Sequence, residues 1–154
     1  MRVTVDINVL WDVFQKREPH YAASARVLAM VQQGELSAVF PAHGFTTLYY
    51  LVRKHSSRPD ADVAMDRLLE HFEAGNLEVA GWVCARALPM SDFEDAVVAT
   101  VAEKSGSRFI ITGNTADFTH SPVPAINPVE FPSQFSALCV HPWFLFNYTI
   151  PATA

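Results

Sequence analysis

Residues 91–112 read SDFEDAVVATVAEKSGSRFIIT, and this stretch decides the fold class. Ser91 lies three residues before Glu94, the spacing of a capping box in which each side chain satisfies the other's backbone N–H. Val97, Val98, Val101 and Ala102 then recur at the spacing of one buried helical face. Gly106 stands where helices commonly end in the left-handed conformation. Shortly after it, residues 109–112 (FIIT) form an apolar, β-branched run of strand length. A capped amphipathic helix that feeds directly into a short apolar strand is one half-turn of a parallel α/β sheet.

The alternation continues on both sides. Residues 2–7 (RVTVDI) read as a buried strand that ends in an acid. Pro19 opens a helix over 20–33, with Ala25, Leu28, Ala29 and Gln32 at helical spacing and Gly34 at its end. Residues 36–40 are a second strand. Pro41 begins a helix that runs to about His55 and carries Phe45, Leu48, Tyr49 and Val52 on one face. Asp60 is expected to cap a further helix that turns Ala64, Leu68, Leu69 and Phe72 inward and stops at Gly75. A third strand over 77–80, a short helical piece over 82–88, a strand over 123–126 and a last helical turn over 127–135 complete the pattern. The expected architecture is a three-layer α/β/α domain with a central, mainly parallel sheet over residues 1–136. An apolar tail follows over 137–154.

Composition narrows the function. The chain has 154 residues, half of them hydrophobic and 18% charged, enough for one core and too apolar for a disordered chain. Its two cysteines, Cys84 and Cys139, exclude a disulfide scaffold or Cys-rich zinc module, and no histidine pair has HxxxH spacing. The net charge of −5 disfavours a protein that holds nucleic acid by charge alone. It leaves open an enzyme that works through bound cations, for which the chain must supply carboxylates. The longest apolar stretch, 138–150, is broken by His141, Pro142 and Asn147 and is too short to span a bilayer. Arg2 and Asp6 already occupy the first strand, so no signal peptide is read, and a cytoplasmic location with reduced thiols is expected.

Parallel sheets bind ligands outside the carboxyl ends of their strands. Asp6 ends the first strand; Asp92, Glu94 and Asp95 fill the first turn of the best-signalled helix; Asn114 and Asp117 follow the fourth strand. Taken singly, Asp92 and Glu94 also suit a helix cap, and Asp117 a turn. Asp6 closes an otherwise buried strand, where an unpaired acid is costly. Carboxylates gathered in one place oppose each other's ionisation, and a hard divalent cation, Mg²⁺ or Mn²⁺, is the usual compensation for oxygen-only ligands.

These segments resemble the PIN-domain family, and within it the toxin ribonucleases of bacterial toxin–antitoxin pairs. The matching pieces are VDINVLWD at 5–12, DFEDAVVATVAEKSG at 92–106, FIITGNTADF at 109–118 and INPVEF at 126–131, in the family's order. The resemblance implies a Mg²⁺- or Mn²⁺-dependent ribonuclease. Asp6 is then the first metal ligand, Asp95 the central acid and Asp117 the late acid. Asn8, Asp92, Glu94, Thr112 and Asn114 stand in accessory positions, and Arg53 and Lys54 are candidates for phosphate contacts. It also implies RNA as substrate, an antitoxin protein as partner and a homodimer, with no role for a membrane. One departure stands out: the family usually carries a glutamate on the helix after the second strand. Here that register falls on Thr47, and no acid occurs between Glu35 and Asp60. Thr47 supplies no charge, which keeps a second reading in view: a PIN-like RNA- or protein-binding module with an incomplete site. A phosphoacceptor domain is disfavoured, because no acidic pair ends the first strand and Lys104 falls on a helix.

Overall fold

Alternate side chains of each strand enter different apolar layers, and this is what makes the sheet the middle of the domain. In the computed structural model, which describes residues 1–131, the strands are β1 (Arg2–Val5), β2 (Ser37–Pro41), β3 (Phe72–Gly75), β4 (Phe109–Ile111) and β5 (Ala125–Ile126). They form one five-stranded sheet in the order β3-β2-β1-β4-β5, with every pair parallel. Val3, Val5, Ala38, Phe40 and Ile111 point into one core. Val39 and Ile110 point the opposite way into two smaller clusters. This is the period-two alternation of a strand covered on both faces.

The helices are α1 (Ile7–Phe14), α2 (Tyr21–Gln32), α3 (Ala42–His55), α4 (Arg58–His71), α5 (Val79–Ala87) and α6 (Phe93–Lys104). Helices α1 to α4 supply the larger core through residues such as Leu10, Leu28, Leu48 and Leu68, and α5 and α6 cover the other face through Ala85, Val97, Val98 and Val101. The expected three-layer α/β/α fold is the one observed.

Two helices stop as the sequence suggests. Gly34 (φ 75°) and Gly106 (φ 67°) are left-handed. After α2, Gly34 N–H donates to Val31 O and Glu35 N–H to Met30 O; after α6, Gly106 N–H donates to Glu103 O and Ser107 N–H to Ala102 O. Both are Schellman endings, in which the glycine adopts the conformation that a Cβ disfavours.

Several expectations need correction. The third strand is Phe72–Gly75, not 77–80; residues 79 and 80 already belong to α5. Gly75 does not stop α4 but lies in β3, where a Cβ would come within 2.4 Å of Val101 Cγ1. Its smallness lets α6 lie close on the sheet. Ser57, not Asp60, caps α4: Ser57 Oγ accepts from Asp60 N–H at 3.2 Å, and both Ser56 and Ser57 donate to the Asp60 carboxylate. Leu69 points outward. Helix α1 was not foreseen. The expected turn over 127–135 lies partly, and the tail over 137–154 wholly, outside the described residues. Among the described residues, no helix is long and apolar enough to cross a membrane.

Candidate active site

The chain moves from β1 out to β2 and β3, then returns to place β4 on the other side of β1. The crevice between the carboxyl ends of β1 and β4 is therefore the topological switch point, where such sheets bind ligands. Asp6 lies just past β1, and its N–H donates to Ile111 O across this crevice at 3.0 Å. Thr112 lies just past β4.

The Asp6 side chain is 6% exposed and Thr112 is fully buried. Thr112 Oγ1 donates to Asp6 Oδ2 at 2.7 Å, and Asn8 Nδ2 donates to the same oxygen at 2.7 Å. Asn8 is held in turn: its Oδ1 accepts from Gly113 N–H at 3.1 Å and its Nδ2 also reaches Thr112 Oγ1 at 3.0 Å. Thr112 Oγ1 accepts from Asn114 N–H at 3.0 Å. Burial pushes the Asp6 carboxyl above its ordinary value and Glu94 adds to this. The bonds from Thr112 and from the backbone of Ile7 and Asn8 pull against the rise.

Helix α6 brings the second acid. Its cap is Asp92 rather than Ser91: Asp92 Oδ1 accepts from Glu94 N–H at 2.7 Å and from Asp95 N–H at 3.2 Å. Asp92 thus performs the ordinary capping role, and Asp95 falls in the first helical turn. Partial burial, then repulsion from Asp6, Asp92, Asp117 and Glu94 in that order, push the Asp95 pKa up to about 6. Every charged group that moves Asp95 is an anion. Asp117 lies on a 3-10 turn over Thr115–Phe118 and is solvent-exposed, with Asn114 at the start of that turn.

Asp6 and Asp117 thus both come within electrostatic reach of Asp95, and Asn8 and Thr112 support Asp6. Among the described residues, no three carboxylate, imidazole or thiol groups are already drawn together tightly enough to hold an ion. The donor set nevertheless fits a hard cation: it is oxygen-only, one member is rigidly held, and its mutual repulsion is what a divalent charge relieves. Arg53 and Lys54 are exposed in the last turn of α3, with Lys54 Nζ over the Tyr50 ring at 5.9 Å. They stand about 15 Å further along that helix than His43, by its rise per residue. Thr47 is exposed, and its Oγ1 donates to His43 O at 3.2 Å.

Three neighbours were not foreseen. His43 Nε2 comes within 3.5 Å of Glu94 Oε1. Trp82 and Phe93 pair beside them, with ring centroids 6.2 Å apart. Only the position of His43 one turn before Thr47 hinted at this, since α5 and α6 meet through tertiary packing.

The family profile described as PIN domain matches residues 2–116. The chain belongs to the PIN-domain family. No curated protein matches it. Among solved structures, this PIN domain is similar to VapBC2 from Rickettsia felis, which was solved bound to a promoter DNA fragment. The identity is 15% over 82% of this chain and 98% of that one, with a TM-score of 0.63. FitAcB from Neisseria gonorrhoeae is similar at 16% identity over 82% and 98% of the two chains, TM-score 0.60. VapBC-1 from nontypeable Haemophilus influenzae is similar at 12% identity over 84% and 99%, TM-score 0.60. At such identities the likeness is one of fold. The PIN family expected from residues 5–12, 92–106 and 109–118 is the family found.

Proposed function

We propose that this PIN-domain protein is a cytoplasmic Mg²⁺- or Mn²⁺-dependent endoribonuclease that hydrolyses RNA phosphodiesters, the toxin of a toxin–antitoxin pair. The observation that carries this reading is the buried Asp6, braced by Thr112 and Asn8 at the switch point and close enough to Asp95 to raise its proton affinity. A buried carboxylate beside a partly buried one that it repels, at a ligand-binding edge, is a costly arrangement that function explains better than stability does.

In this reading Asp6 and Asp95 hold the cation, with Asp117 as the outer acid. When bound, such an ion supplies Lewis acidity toward the phosphate and offsets the carboxylate charge. The protein supplies the rest. Thr112 and Asn8 fix one oxygen of Asp6, so the carboxylate does not rotate. Asp92 caps α6 and thereby sets the backbone that positions Asp95. Glu94 adds negative charge beside Asp6, and Asn114 N–H holds Thr112 Oγ1 in place. The motifs resembling toxin ribonucleases, in a fold shared with VapBC2 and FitAcB, support the toxin reading, with an antitoxin protein as partner and a homodimeric assembly.

The test is a calorimetric titration of Mg²⁺ and Mn²⁺ into the wild type and Asp95→Asn, paired with cleavage of a generic RNA. Wild type should bind cation and cleave; Asp95→Asn should lose both. The neutral Thr47 favours one other reading, a binding module with an incomplete site. A wild type that binds RNA but leaves it intact at saturating Mn²⁺ would establish that alternative.

A further inference from the structure

Beside the carboxylates lies a hollow of about 220 Å³ lined by His43, Trp82, Phe93, Glu94 and Val97. Phe93 and Glu94 directly precede Asp95 in α6, so the hollow adjoins the acidic cluster. Trp82 is 41% exposed and Phe93 48% exposed, unusual for rings of this size with a core available. Their planes are inclined by 44°. Trp82 Nε1 donates to Leu77 O at 3.1 Å, which fixes the indole and engages its polar edge within the protein.

We infer that this hollow is a stacking subsite for one unpaired base of a single-stranded RNA, next to the phosphate at the carboxylates. The inference rests on the nuclease reading above and names how the substrate strand is held. Charge favours a base over a phosphate here. The chain carries −5 overall, and neither Lys nor Arg lines the hollow. Backbone affinity normally comes from such cations; base–aromatic stacking needs none and accepts any base. Five residues bound the hollow, room for one ring. Val79 and Val83 are exposed on the same helix as Trp82, so an apolar peptide is the competing occupant that the experiment includes.

The experiment measures binding of a short fluorescent single-stranded RNA and its abasic analogue by anisotropy, using the full chain with Ca²⁺ in place of Mg²⁺. Cleavage of the same RNA in Mn²⁺ is followed separately. Trp82→Ala and Phe93→Ala should each weaken RNA binding about 5- to 100-fold. Both should leave the abasic analogue unaffected, and Trp82→Phe should keep most of the affinity. Melting temperatures verify folding, which these half-exposed positions should not disturb. Unchanged RNA affinity in folded Trp82→Ala overturns the subsite, as does an equal loss for the abasic analogue. A wild type that binds no RNA overturns it too. So does an affinity for an apolar peptide that depends on Trp82 when RNA affinity does not, which would mark a protein-docking surface. Binding that depends on Trp82 without cleavage in Mn²⁺ removes the nuclease reading and leaves the subsite standing.

Discussion

Thr112 Oγ1 donates to Asp6 Oδ2 at 2.7 Å and so joins two residues 106 positions apart. The bond lies across the crevice between β1 and β4, in a place that excludes water. A carboxylate there needs donors, because burial alone drives it toward the neutral form.

Thr112→Val should therefore act twice. It removes a donor from Asp6 and an acceptor from Asn114 N–H. The expected stability loss is about 1–3 kcal/mol, the cost of leaving buried polar groups unpaired, read by urea unfolding. Mn²⁺ affinity at pH 7 should also fall, since Asp6 becomes harder to ionise. Thr112→Ser keeps the hydroxyl and should recover much of both losses. A valine variant as stable as wild type would mean that the bond contributes nothing.

Asp95 sets a pH dependence. Its pKa is raised to about 6 in the folded state, against about 3.9 in an unfolded chain. Between those values the folded protein binds more protons, so stability falls as pH rises from about 4 to about 6. The cation-free protein should thus melt a few degrees higher at pH 5 than at pH 7, and Asp95→Asn should flatten that slope and raise the melting temperature at pH 7. Cation affinity should run the other way, strengthening as pH passes about 6. Calorimetric scans across this range, with and without Mn²⁺, check both signs.

Thr47→Glu restores the acid that the PIN resemblance leads one to expect. Thr47 is exposed and lies one turn after His43, whose imidazole approaches Glu94. The new carboxylate would not be buried, and glutamate favours helix more than threonine. The expected result is tighter Mn²⁺ binding, since such affinity follows ligand charge, with little change in the cation-free melting temperature. Unchanged affinity in a folded variant would place the α3 register away from the cation.

Two glycines should respond to alanine for different reasons. Gly34 has open space around a notional Cβ, so Gly34→Ala should cost about 1 kcal/mol through its positive φ alone. Gly75→Ala would drive a methyl onto Val101 and Val39. A cost of about 1–3 kcal/mol is expected from overpacking. A comparison of their unfolding midpoints tests the close approach of α6 to the sheet.

The sequence made the αβ repetition legible wherever periodicity and end signals agreed, as from Asp92 to Ile111. It failed where tertiary context overrides local pattern. Phe72–Gly75 is an edge strand whose FEAG sequence has little β character; pairing with β2 makes it one. Helix α1 (INVLWDVF) is short and broadly apolar, so strand and helix periods are hard to separate. Asp6 and Asp95 stood out because acids interrupt apolar runs. Asn8 and Thr112 are expected near Asp6 only through the family resemblance; the Thr112–Asp6 bond and the Trp82–Phe93 pair join separate elements, which no local pattern encodes.

The placement of β1 between β2 and β4 also orders events in time. As the chain leaves the ribosome, β1 to β3 and their helices can assemble early, with the crevice side of β1 still empty. Asp6 acquires its hydroxyl donor only when β4 arrives, after more than a hundred residues have been made. Closing so long a loop is slow relative to the local steps that precede it. The carboxylate centre is thus among the last features to form during synthesis, and a truncated chain ending before β4 would keep much of the larger core yet lack a braced Asp6.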